Sequence, residues 1–309
     1  MIELSDWHLF PDSLRGGVLC VGNFDGVHVG HARMLQTGRD KARESEVPFT
    51  VMTFEPHPAV ILRPDAVRLP LTTLEQRREI LSGFGPDALV VLPTTREFLS
   101  MTAEAFLTDV VQGRLGATSV VEGATFTFGR GAKGDTEMLR RCGTGMGFQT
   151  TIVPTAEVGL SDRTIVSVSS TLVRWLAERG RVKDVSVCLG RPLALRGPVV
   201  EGAKRGRTIG FPTANIAVRQ MLPAAGIYGG TARVGSQSYR AAISVGTNPT
   251  FGGTSSTVEA YLLDFSGDLY GQIMDLEFDR WVRDMEKFAG VEALVRQIEK
   301  DVEQVRRGA

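Results

Sequence analysis

Hydrophobic residues in the first half of the chain alternate between short apolar runs and stretches with helical spacing. The apolar runs suit buried strands of a parallel sheet, and they lie at 18–21, 48–54 and 88–92. The helical patterns cover 31–44, 74–84 and 97–114. Strands that alternate with helices in this way predict a doubly wound α/β domain.

The second half has a different pattern, with short β-type runs that glycine and proline separate. These runs lie at 197–200, 226–228, 241–245, 258–265 and 273–278. Several short strands with turn signals between them predict a small antiparallel β-barrel. Apolar residues then recur with helical spacing from Val291 to Val305, which predicts a C-terminal amphipathic helix lying on the barrel.

A short predicted helix precedes the change of pattern. Ser169 and Ser170 can cap its N-terminus, and Gly180 suits the turn that ends it. We assign this helix to the end of the first domain, which gives domains of 1–182 and 186–309. A chain of 309 residues is long enough for two such domains, because each can bury its own core.

Charge and cysteine content narrow the class of protein. The 35 basic and 35 acidic residues give zero net charge, so we expect no nucleic-acid or membrane partner. Three widely spaced cysteines favour a reducing compartment, and the acidic N-terminus has no signal-peptide pattern. We therefore expect a folded cytoplasmic protein that is a monomer or a weak homo-oligomer.

A glycine-rich turn, residues 22–31 with the sequence GNFDGVHVGH, connects the first strand to a helix. Glycines at such a turn allow backbone N–H groups to approach phosphate oxygens, and a helix N-terminus favours anions. His28 and His31 share a helix face, so both can donate hydrogen bonds to the same phosphates. Chance placement and metal binding are the alternatives. The predicted nucleotide contacts in the turn are Gly22, Asn23, Phe24, Asp25 and Gly26.

This string resembles the HxGH nucleotidyltransferase superfamily, and more closely the FMN adenylyltransferase half of bacterial bifunctional riboflavin kinase/FAD synthetases. Other strings follow in that family's order, namely TFEPHP at 53–58, LTTLE at 71–75, FTFG at 126–129 and VSSTLVR at 168–174. The resemblance implies a Rossmann-like domain in which ATP and FMN react while His28 and His31 stabilise the phosphates. The implied ATP contacts are Thr125, Ser169, Ser170, Thr171 and Arg174, and the implied flavin contacts are Phe54, Pro56, His57, Pro58 and Phe128.

The residues themselves support these roles to different degrees. Phe54 and Phe128 can form a stacking wall for an isoalloxazine ring, although core packing alone also explains them. The hydroxyls at 169–171 with Arg174 one turn later can hold a departing pyrophosphate, and simple helix capping is the alternative. Thr125 stands where the family usually has Asn or Asp, and its hydroxyl reaches less far. We therefore expect slower adenylylation than in close relatives.

A second candidate segment, residues 201–215 with the sequence EGAKRGRTIGFPTAN, combines flexible glycines with three cations and a fixed turn. Such a segment can close over a triphosphate, although it is not a P-loop and a basic surface hairpin is the alternative. Thr213 and Asn215 are hard oxygen donors two residues apart, and their chemistry suits Mg²⁺.

This segment resembles the riboflavin kinase signature. Further matches follow in order at 189–192, 223–228, 246–251, 263–271 and 283–288. The resemblance implies that Thr213 and Asn215 bind Mg²⁺ and that Glu259 is the base for the ribityl 5′-hydroxyl. A surface glutamate is the alternative for Glu259, and a solvated charge is the alternative for Arg283. The implied ATP contacts are Gly202, Arg205, Gly206, Arg207, Gly210, Pro212, Thr213 and Asn215, and the implied flavin contacts are Arg283 and Phe288.

Both halves match one family in order, so the sequence predicts a bifunctional enzyme. The barrel converts riboflavin and ATP to FMN and ADP, and the α/β domain converts FMN and ATP to FAD and pyrophosphate. Without the resemblance, the residues indicate only two phosphate-handling domains with a Mg²⁺ site and an aromatic pocket. The alternatives are a monofunctional riboflavin kinase whose first domain is impaired by Thr125, and a non-catalytic regulator that senses flavin or binds nucleic acid.

Overall fold

The computed structural model describes residues 1–66, 69–202, 205–247 and 256–308, and their contacts group them into two compact units. Unit one takes its described residues from Met1–Pro70, Leu74–Val158 and Val166–Ser169. The remaining described residues form unit two.

A parallel sheet forms the centre of unit one. The strands up to residue 167 are β1 Ile2–Leu4, β2 Val18–Val21, β3 Phe49–Glu55, β4 Ala88–Pro93, β5 Ser119–Gly123, β6 Thr127–Phe128, β7 Gly134–Asp135, β8 Gln149–Val153, β9 Glu157–Gly159 and β10 Ile165–Ser167. The sheet has the order β1-β4-β3-β2-β5-β8, and all its neighbouring strands run parallel. The other four strands form two-stranded ribbons, β6 with β7 and β9 with β10.

Helices connect the parallel strands. The helices of unit one are α1 Val29–Glu44, α2 Pro58–Leu62, α3 Leu74–Ser82, α4 Arg96–Ser100, α5 Ala103–Ala105 and α6 Thr136–Met146. A π-helical stretch, Phe106–Arg114, continues α5. Short 3-10 turns lie at Trp7–Leu9, Asp12–Leu14, Pro64–Ala66 and Arg130–Ala132.

The central strand β2 is buried on both faces, which explains its continuous apolar sequence. Alternate residues of a strand point to opposite faces. Leu19 and Val21 accordingly enter one core cluster, while Val18 and Cys20 enter another. The prediction of a doubly wound α/β domain is confirmed.

The prediction of one continuous helix over 97–114 is wrong. Met101 is extended, with φ −60° and ψ 132°, and it ends α4. The Thr102 hydroxyl then accepts a hydrogen bond from the Ala105 N–H at 3.1 Å and starts a new helix. A threonine N-cap inside an apolar helical pattern therefore divided one predicted helix into two.

The order in which successive strands are added to the sheet reverses at β2. The strands β3, β4 and β1 lie on one side of β2, and β5 and β8 lie on the other. In open α/β sheets, ligands bind outside the carboxyl ends of the strands at such a switch point. The pairing of β2 with β5 includes only Val18 and Leu19 of β2, so the two strands part before β2 ends.

Unit two contains a closed antiparallel barrel with the order β11-β12-β15-β14-β13-β16. Its strands are β11 Leu193–Val200, β12 Ala214–Ile216, β13 Gly226–Val234, β14 Gln237–Thr247, β15 Ser256–Leu262 and β16 Ile273–Arg283. Its helices are α7 Ser170–Ala177, α8 Val182–Leu189, α9 Arg205–Thr208 and α10 Val291–Arg307. The predictions of a barrel and of a C-terminal helix are confirmed.

Helix α7 groups with the barrel, although we placed it at the end of the first domain. The Ala224 N–H donates to the Ala177 carbonyl at 2.9 Å, and the backbone at Gly180 packs against the ring of Trp281. These contacts join residues far apart in sequence, so the helix pattern alone could not show them. The functional boundary between 1–182 and 186–309 stays a prediction.

Candidate active sites

The β2–α1 loop, residues 22–28, lies at the switch point of the sheet. Phe24 and Val27 have positive φ angles of 48° and 38°, and Gly26 has φ 81°. Positive φ is costly for residues with side chains, and such strain persists where the surrounding structure holds it, often at functional sites. Phe24 and Val27 are buried, so core packing holds the loop in this conformation.

The two candidate histidines lie against each other at the start of α1. His28 is the N-cap, and its Nδ1 accepts a hydrogen bond from the His31 N–H at 3.3 Å. The two rings stack with centroids 3.7 Å apart and planes 17° apart. Because Nδ1 of His28 is an acceptor, the proton of a neutral His28 ring is on Nε2.

His31 is a neutral partner in this stack. Burial lowers its pKa well below 6.5, and the neighbouring His28 lowers the pKa further. Its Nδ1 is buried and has no hydrogen-bond partner within the described part of the chain. An unsatisfied buried polar atom costs about 1–3 kcal/mol.

Two backbone N–H groups anchor the strand end that leads into the loop. The Val21 N–H donates to Oε1 of Glu122 at 2.7 Å, and the Gly22 N–H donates to the Met52 carbonyl at 3.0 Å. Burial raises the pKa of the Glu122 carboxyl well above its usual range and so favours the neutral acid. The sequence analysis missed Glu122, although an acidic residue inside the apolar run of β5 was a signal.

Arg77 on α3 is another residue that the sequence analysis missed. Its Nη1 donates to the Asn23 carbonyl at 2.9 Å, and its Nη2 pairs with the Glu55 carboxylate. The Thr53 hydroxyl donates to the same Asn23 carbonyl at 3.2 Å. The β2–α1 loop is therefore connected to the end of β3.

The predicted stacking wall takes the form of a chain of aromatic rings. Phe54 and Phe128 are linked through Phe98 and Phe106, with successive ring centroids 5.7, 6.4 and 5.7 Å apart. Phe126 stacks on Phe128 at 5.5 Å. Phe128 belongs to the buried core, so packing explains its position, and its contact with a flavin stays a prediction.

The other predicted flavin contacts follow β3 directly. His57 is the N-cap of α2, and its Nδ1 accepts a hydrogen bond from the Ala59 N–H at 3.1 Å. Pro58 occupies the first turn of that helix, and Pro56 is half-buried. These residues therefore share one turn with Phe54 at the carboxyl end of the sheet.

The predicted pyrophosphate-binding residues divide between the two units. Ser169 belongs to unit one, whereas Ser170, Thr171 and Arg174 belong to α7 of unit two. Nη1 of Arg174 lies 3.5 Å from the sulfur of Met221. Their roles toward a nucleotide stay predictions.

Thr125 lies in an exposed turn between β5 and β6. The turn closes through the Phe126 N–H, which donates to the Gly123 carbonyl at 3.0 Å. The side chain of residue 125 is therefore accessible to a ligand.

The barrel brings the predicted kinase residues together. The Thr213 hydroxyl donates to Oε2 of Glu259 at 3.1 Å, and Asn215 lies directly opposite Glu259 in the pairing of β12 with β15. The Asn215 amide packs against Gly202, where a Cβ would lie 2.1 Å from Nδ2. A Cβ at Gly206 would lie 3.4 Å from Oγ1 of Thr213. A hydroxyl, an amide and a carboxylate thus line one end of the glycine-rich segment.

Several predicted nucleotide contacts are less well defined. Arg207 and Pro212 are exposed, and Gly210 has φ 87°. The backbone of Arg205 begins α9. Residues 203–204 and the 248–251 part of the family match lie outside the described residues.

This donor set fits Mg²⁺ rather than a softer metal. Across the described ranges, no group of three or more His, Cys, Asp or Glu side chains could hold a metal ion. Mg²⁺ usually keeps several waters and takes one or two protein oxygens together with substrate phosphates. Thr213 and Asn215 can supply those oxygens.

Arg283 forms an ion pair with the C-terminal helix. Its Nε and Nη2 contact the Asp301 carboxylate at 2.8–3.0 Å, and Asp301 also accepts from Gln297 at 2.9 Å. The guanidinium lies 5.6 Å from the centre of the Phe288 ring. Arg283 is therefore not a solvated surface charge, and the flavin contacts of Arg283 and Phe288 stay predictions.

Comparison with known proteins agrees with both halves of this description. A FAD synthetase family model matches residues 10–171, and a riboflavin kinase family model matches residues 189–308. The bifunctional riboflavin kinase/FMN adenylyltransferase of Escherichia coli (strain K12) is 35% identical over 93% of this chain and 91% of that protein. The enzyme of the same name from Bacillus subtilis (strain 168) is 32% identical over 97% of this chain and 95% of that protein.

A solved structure shares the fold along nearly the whole chain. It is described as a macrolide-efflux protein from Streptococcus pneumoniae, and it has a TM-score of 0.88 and 34% sequence identity. The match covers 99% of this chain and 98% of that one. Among the helices that the structure describes here, none has the length and hydrophobicity that a membrane crossing requires.

The fold and the sites define a two-domain transferase, with a nucleotidyltransferase-type α/β domain followed by a flavokinase barrel. The chain belongs to the bifunctional riboflavin kinase/FMN adenylyltransferase family. It functions in FAD biosynthesis, making FMN from riboflavin and FAD from FMN with ATP as co-substrate. The predicted family and enzyme class are confirmed.

The environment of His31 leads to a prediction about its titration. Burial disfavours the charged ring, so we expect no titration of His31 with a midpoint near 6.5. Because the unfolded chain binds this proton more readily, the stabilising contribution of neutral His31 is lost as pH falls below about 6.5. NMR of the imidazole carbons measures the midpoint, and His31→Gln identifies the signal among four histidines. A midpoint at or above 6.5 contradicts the prediction.

Proposed function

We propose that unit two phosphorylates riboflavin with Glu259 as the base, and that unit one adenylylates FMN on the His28 and His31 pair. The supporting observations are the stacked histidines of unit one and the Thr213–Glu259 hydrogen bond of unit two. We propose 1–182 and 186–309 as the functional domains, and the family matches over 10–171 and 189–308 support this division.

In the kinase step, the 5′-hydroxyl of riboflavin attacks the γ-phosphorus of ATP and its proton passes to Glu259. The new O–P bond forms as the bond to the bridging oxygen breaks, and ADP leaves. Thr213 donates to Oε2 of Glu259, so we assign Oε1 to the riboflavin hydroxyl. A carboxylate is basic enough, because phosphoryl transfer has a loose transition state in which the proton can leave late.

The oxygens of Thr213 and Asn215 would hold Mg²⁺ beside the ATP phosphates. Because the Thr213 proton points to Glu259, the oxygen lone pairs of Thr213 can face a cation. When bound, Mg²⁺ neutralises charge on the phosphates. The triphosphate itself is assigned to the glycine-rich segment, through Gly202, Arg205, Gly206, Arg207, Gly210 and Pro212.

In the adenylyltransferase step, a phosphate oxygen of FMN attacks the α-phosphorus of ATP and pyrophosphate leaves. We assign backbone N–H groups of the β2–α1 loop and Nε2 of His28 as donors to the phosphates. The His31 ring stacks on His28, and we assign it to the same phosphates. The hydroxyls at 169–171 and Arg174 are assigned to the departing pyrophosphate, and no covalent enzyme intermediate is required.

The family matches over both halves favour the bifunctional enzyme over a monofunctional kinase or a regulator. We propose that it works in the cytoplasm on small molecules, as a monomer or a weak homo-oligomer. Equal numbers of acidic and basic residues support the absence of a nucleic-acid or membrane partner.

Incubation with riboflavin and Mg-ATP, followed by chromatography of the products, tests the proposal. FMN and FAD together support it. FMN alone indicates a monofunctional kinase, and the lack of both indicates a regulator.

His28→Ala should lower FAD formation about 100-fold, since one preorganised donor to the phosphates is lost. FMN formation should stay near that of the parent, because residue 28 belongs to unit one. Steady-state rates of both half-reactions measure the effect, with His8→Ala as the control at an exposed histidine of the same unit. A similar fall in both activities would show that the two sites are not separate.

Glu259→Gln keeps the shape of the side chain and removes the proton acceptor, so FMN formation should fall by about 10² to 10⁴. Adenylylation of supplied FMN should persist. The matched control is Glu277→Gln, on another strand of the same barrel, where the carboxylate pairs with Arg233 at the surface. A variant that phosphorylates riboflavin at the parent rate with saturating Mg-ATP would exclude Glu259 as the base.

Thr125→Asn tests the departure from the family pattern. A longer amide in this exposed turn should gain one uncharged hydrogen bond to the nucleotide, worth about 0.5–1.5 kcal/mol. FAD formation should therefore rise by a few-fold to roughly tenfold, while the kinase rate stays constant. Steady-state rates of FMN and FAD formation, measured for the parent and the variant, test this expectation. An unchanged or lower FAD rate would mean that threonine already fits this position.

A further inference from the structure

We propose that Arg77 is a positioning residue for adenylyl transfer, because one guanidinium connects the β2–α1 loop with the flavin segment, residues 53–58. The inference rests on the function proposed for unit one. Neither the glycine-rich turn nor the aromatic wall includes this residue, and it lies on α3, outside both motifs.

The contacts of Arg77 go to both substrate-binding segments. Nη1 donates to the Asn23 carbonyl in the loop at 2.9 Å, and Nη2 pairs with the carboxylate of Glu55 in the flavin segment. The Thr53 hydroxyl donates to the same carbonyl at 3.2 Å. Thr53 also belongs to the flavin segment, so the two segments meet at one carbonyl oxygen.

Burial makes this arrangement specific to arginine. Arg77 is only 4% exposed, and a buried cation is tolerated only when it is paired and hydrogen-bonded. A guanidinium is planar and can donate to two acceptors in fixed directions, whereas the compact ammonium of lysine cannot reproduce that geometry. Its Nε is buried with no hydrogen-bond partner among the residues described, so the side chain keeps this orientation at a cost.

Holding the Asn23 carbonyl also orients the amide that follows it. In a planar trans peptide, the carbonyl oxygen and the next N–H point in opposite directions. The hydrogen bond from Arg77 therefore directs the Phe24 N–H to the opposite side of the loop. Phe24 has φ 48°, a conformation that other contacts must stabilise, and the predicted phosphate contacts depend on N–H groups of this loop.

Arg77 should consequently affect both substrates of one reaction. Loss of the Asn23 contact frees the loop that receives ATP, and loss of the Glu55 contact frees the segment that receives FMN. A residue that only stabilised the fold would change the midpoint of thermal unfolding and leave the kinetics of the folded enzyme unchanged.

The experiment compares Arg77→Met and Arg77→Lys with Arg78→Met in the full chain. Arg78 is the next residue on α3 and pairs with Glu3 near the surface, so it controls for a lost arginine on the same helix. For adenylylation, kcat and the KM values for ATP and FMN are measured separately. Riboflavin kinase activity and the thermal midpoint report the integrity of each preparation.

We expect Arg77→Met to lower kcat/KM by about 10- to 100-fold for both ATP and FMN, as expected for lost hydrogen bonds from a charged donor. Arg77→Lys should lie between this variant and the parent, and Arg78→Met should match the parent. Arg77→Lys with Glu55→Gln should lose less than the product of the two single effects, because both changes break one contact.

Three results overturn the inference: kinetics of Arg77→Lys equal to the parent, an effect confined to one substrate, or multiplicative effects in the double variant. If Arg77→Met does not fold, Arg77→Lys and the double variant still test whether Arg77 positions both segments. A parent enzyme that forms no FAD refutes the proposed function of unit one. A parent that forms FAD, with Arg77 variants that match it, refutes only the role of Arg77.

Discussion

Hydrogen bonding between strands determines where the reactive groups of both units lie. In unit one, β2 pairs with β3 along its length but with β5 only through Val18 and Leu19. The strands then part, and the backbone beyond them must find other partners, since unpaired buried N–H groups are costly. In unit two, the pairing of β12 with β15 places Asn215 opposite Glu259. The chemistry of each site follows from these registers.

Side chains complete the hydrogen bonding that the sheet of unit one leaves open at its switch point. Glu122 accepts from the Val21 N–H, and Arg77 donates to the Asn23 carbonyl. The first is a buried acid whose neutral form is favoured, and the second is a buried cation paired with Glu55. Glu122 holds the end of β2 and Arg77 holds the loop that follows, so these two side chains support a loop whose φ angles are unfavourable.

Burial also determines the charge that the site in unit one presents to a substrate. His31 and Glu122 are in environments that favour their neutral forms, so His31 contributes no positive charge and Glu122 no negative charge. In the proposed function, oriented N–H dipoles, the α1 N-terminus, His28 and Arg174 attract the phosphates. In the site proposed for unit two, oxygen donors beside a glycine-rich segment suit a magnesium-bound triphosphate. The two proposed sites therefore handle phosphate by different physical means.

The local elements and the candidate motifs could be predicted from the sequence, because they depend on neighbouring residues. The apolar run at 18–21 became β2, the pattern from 291 became α10, and the loop of 22–28 connects β2 to α1 as expected. The family resemblance then supplied the flavin chemistry, which the residues alone did not show.

The distant residues that support those motifs could be identified only from the folded structure. Arg77 lies 54 residues from Asn23, Glu122 lies 101 residues from Val21, and Thr213 lies 46 residues from Glu259. The same holds for Arg283, which proved to pair with Asp301, and for α7, which packs with the barrel. Periodicity and turn signals arise within a few residues of the chain, whereas these contacts depend on strand order and register. Strand order and register cannot be predicted from such local patterns, because they depend on how the complete fold packs.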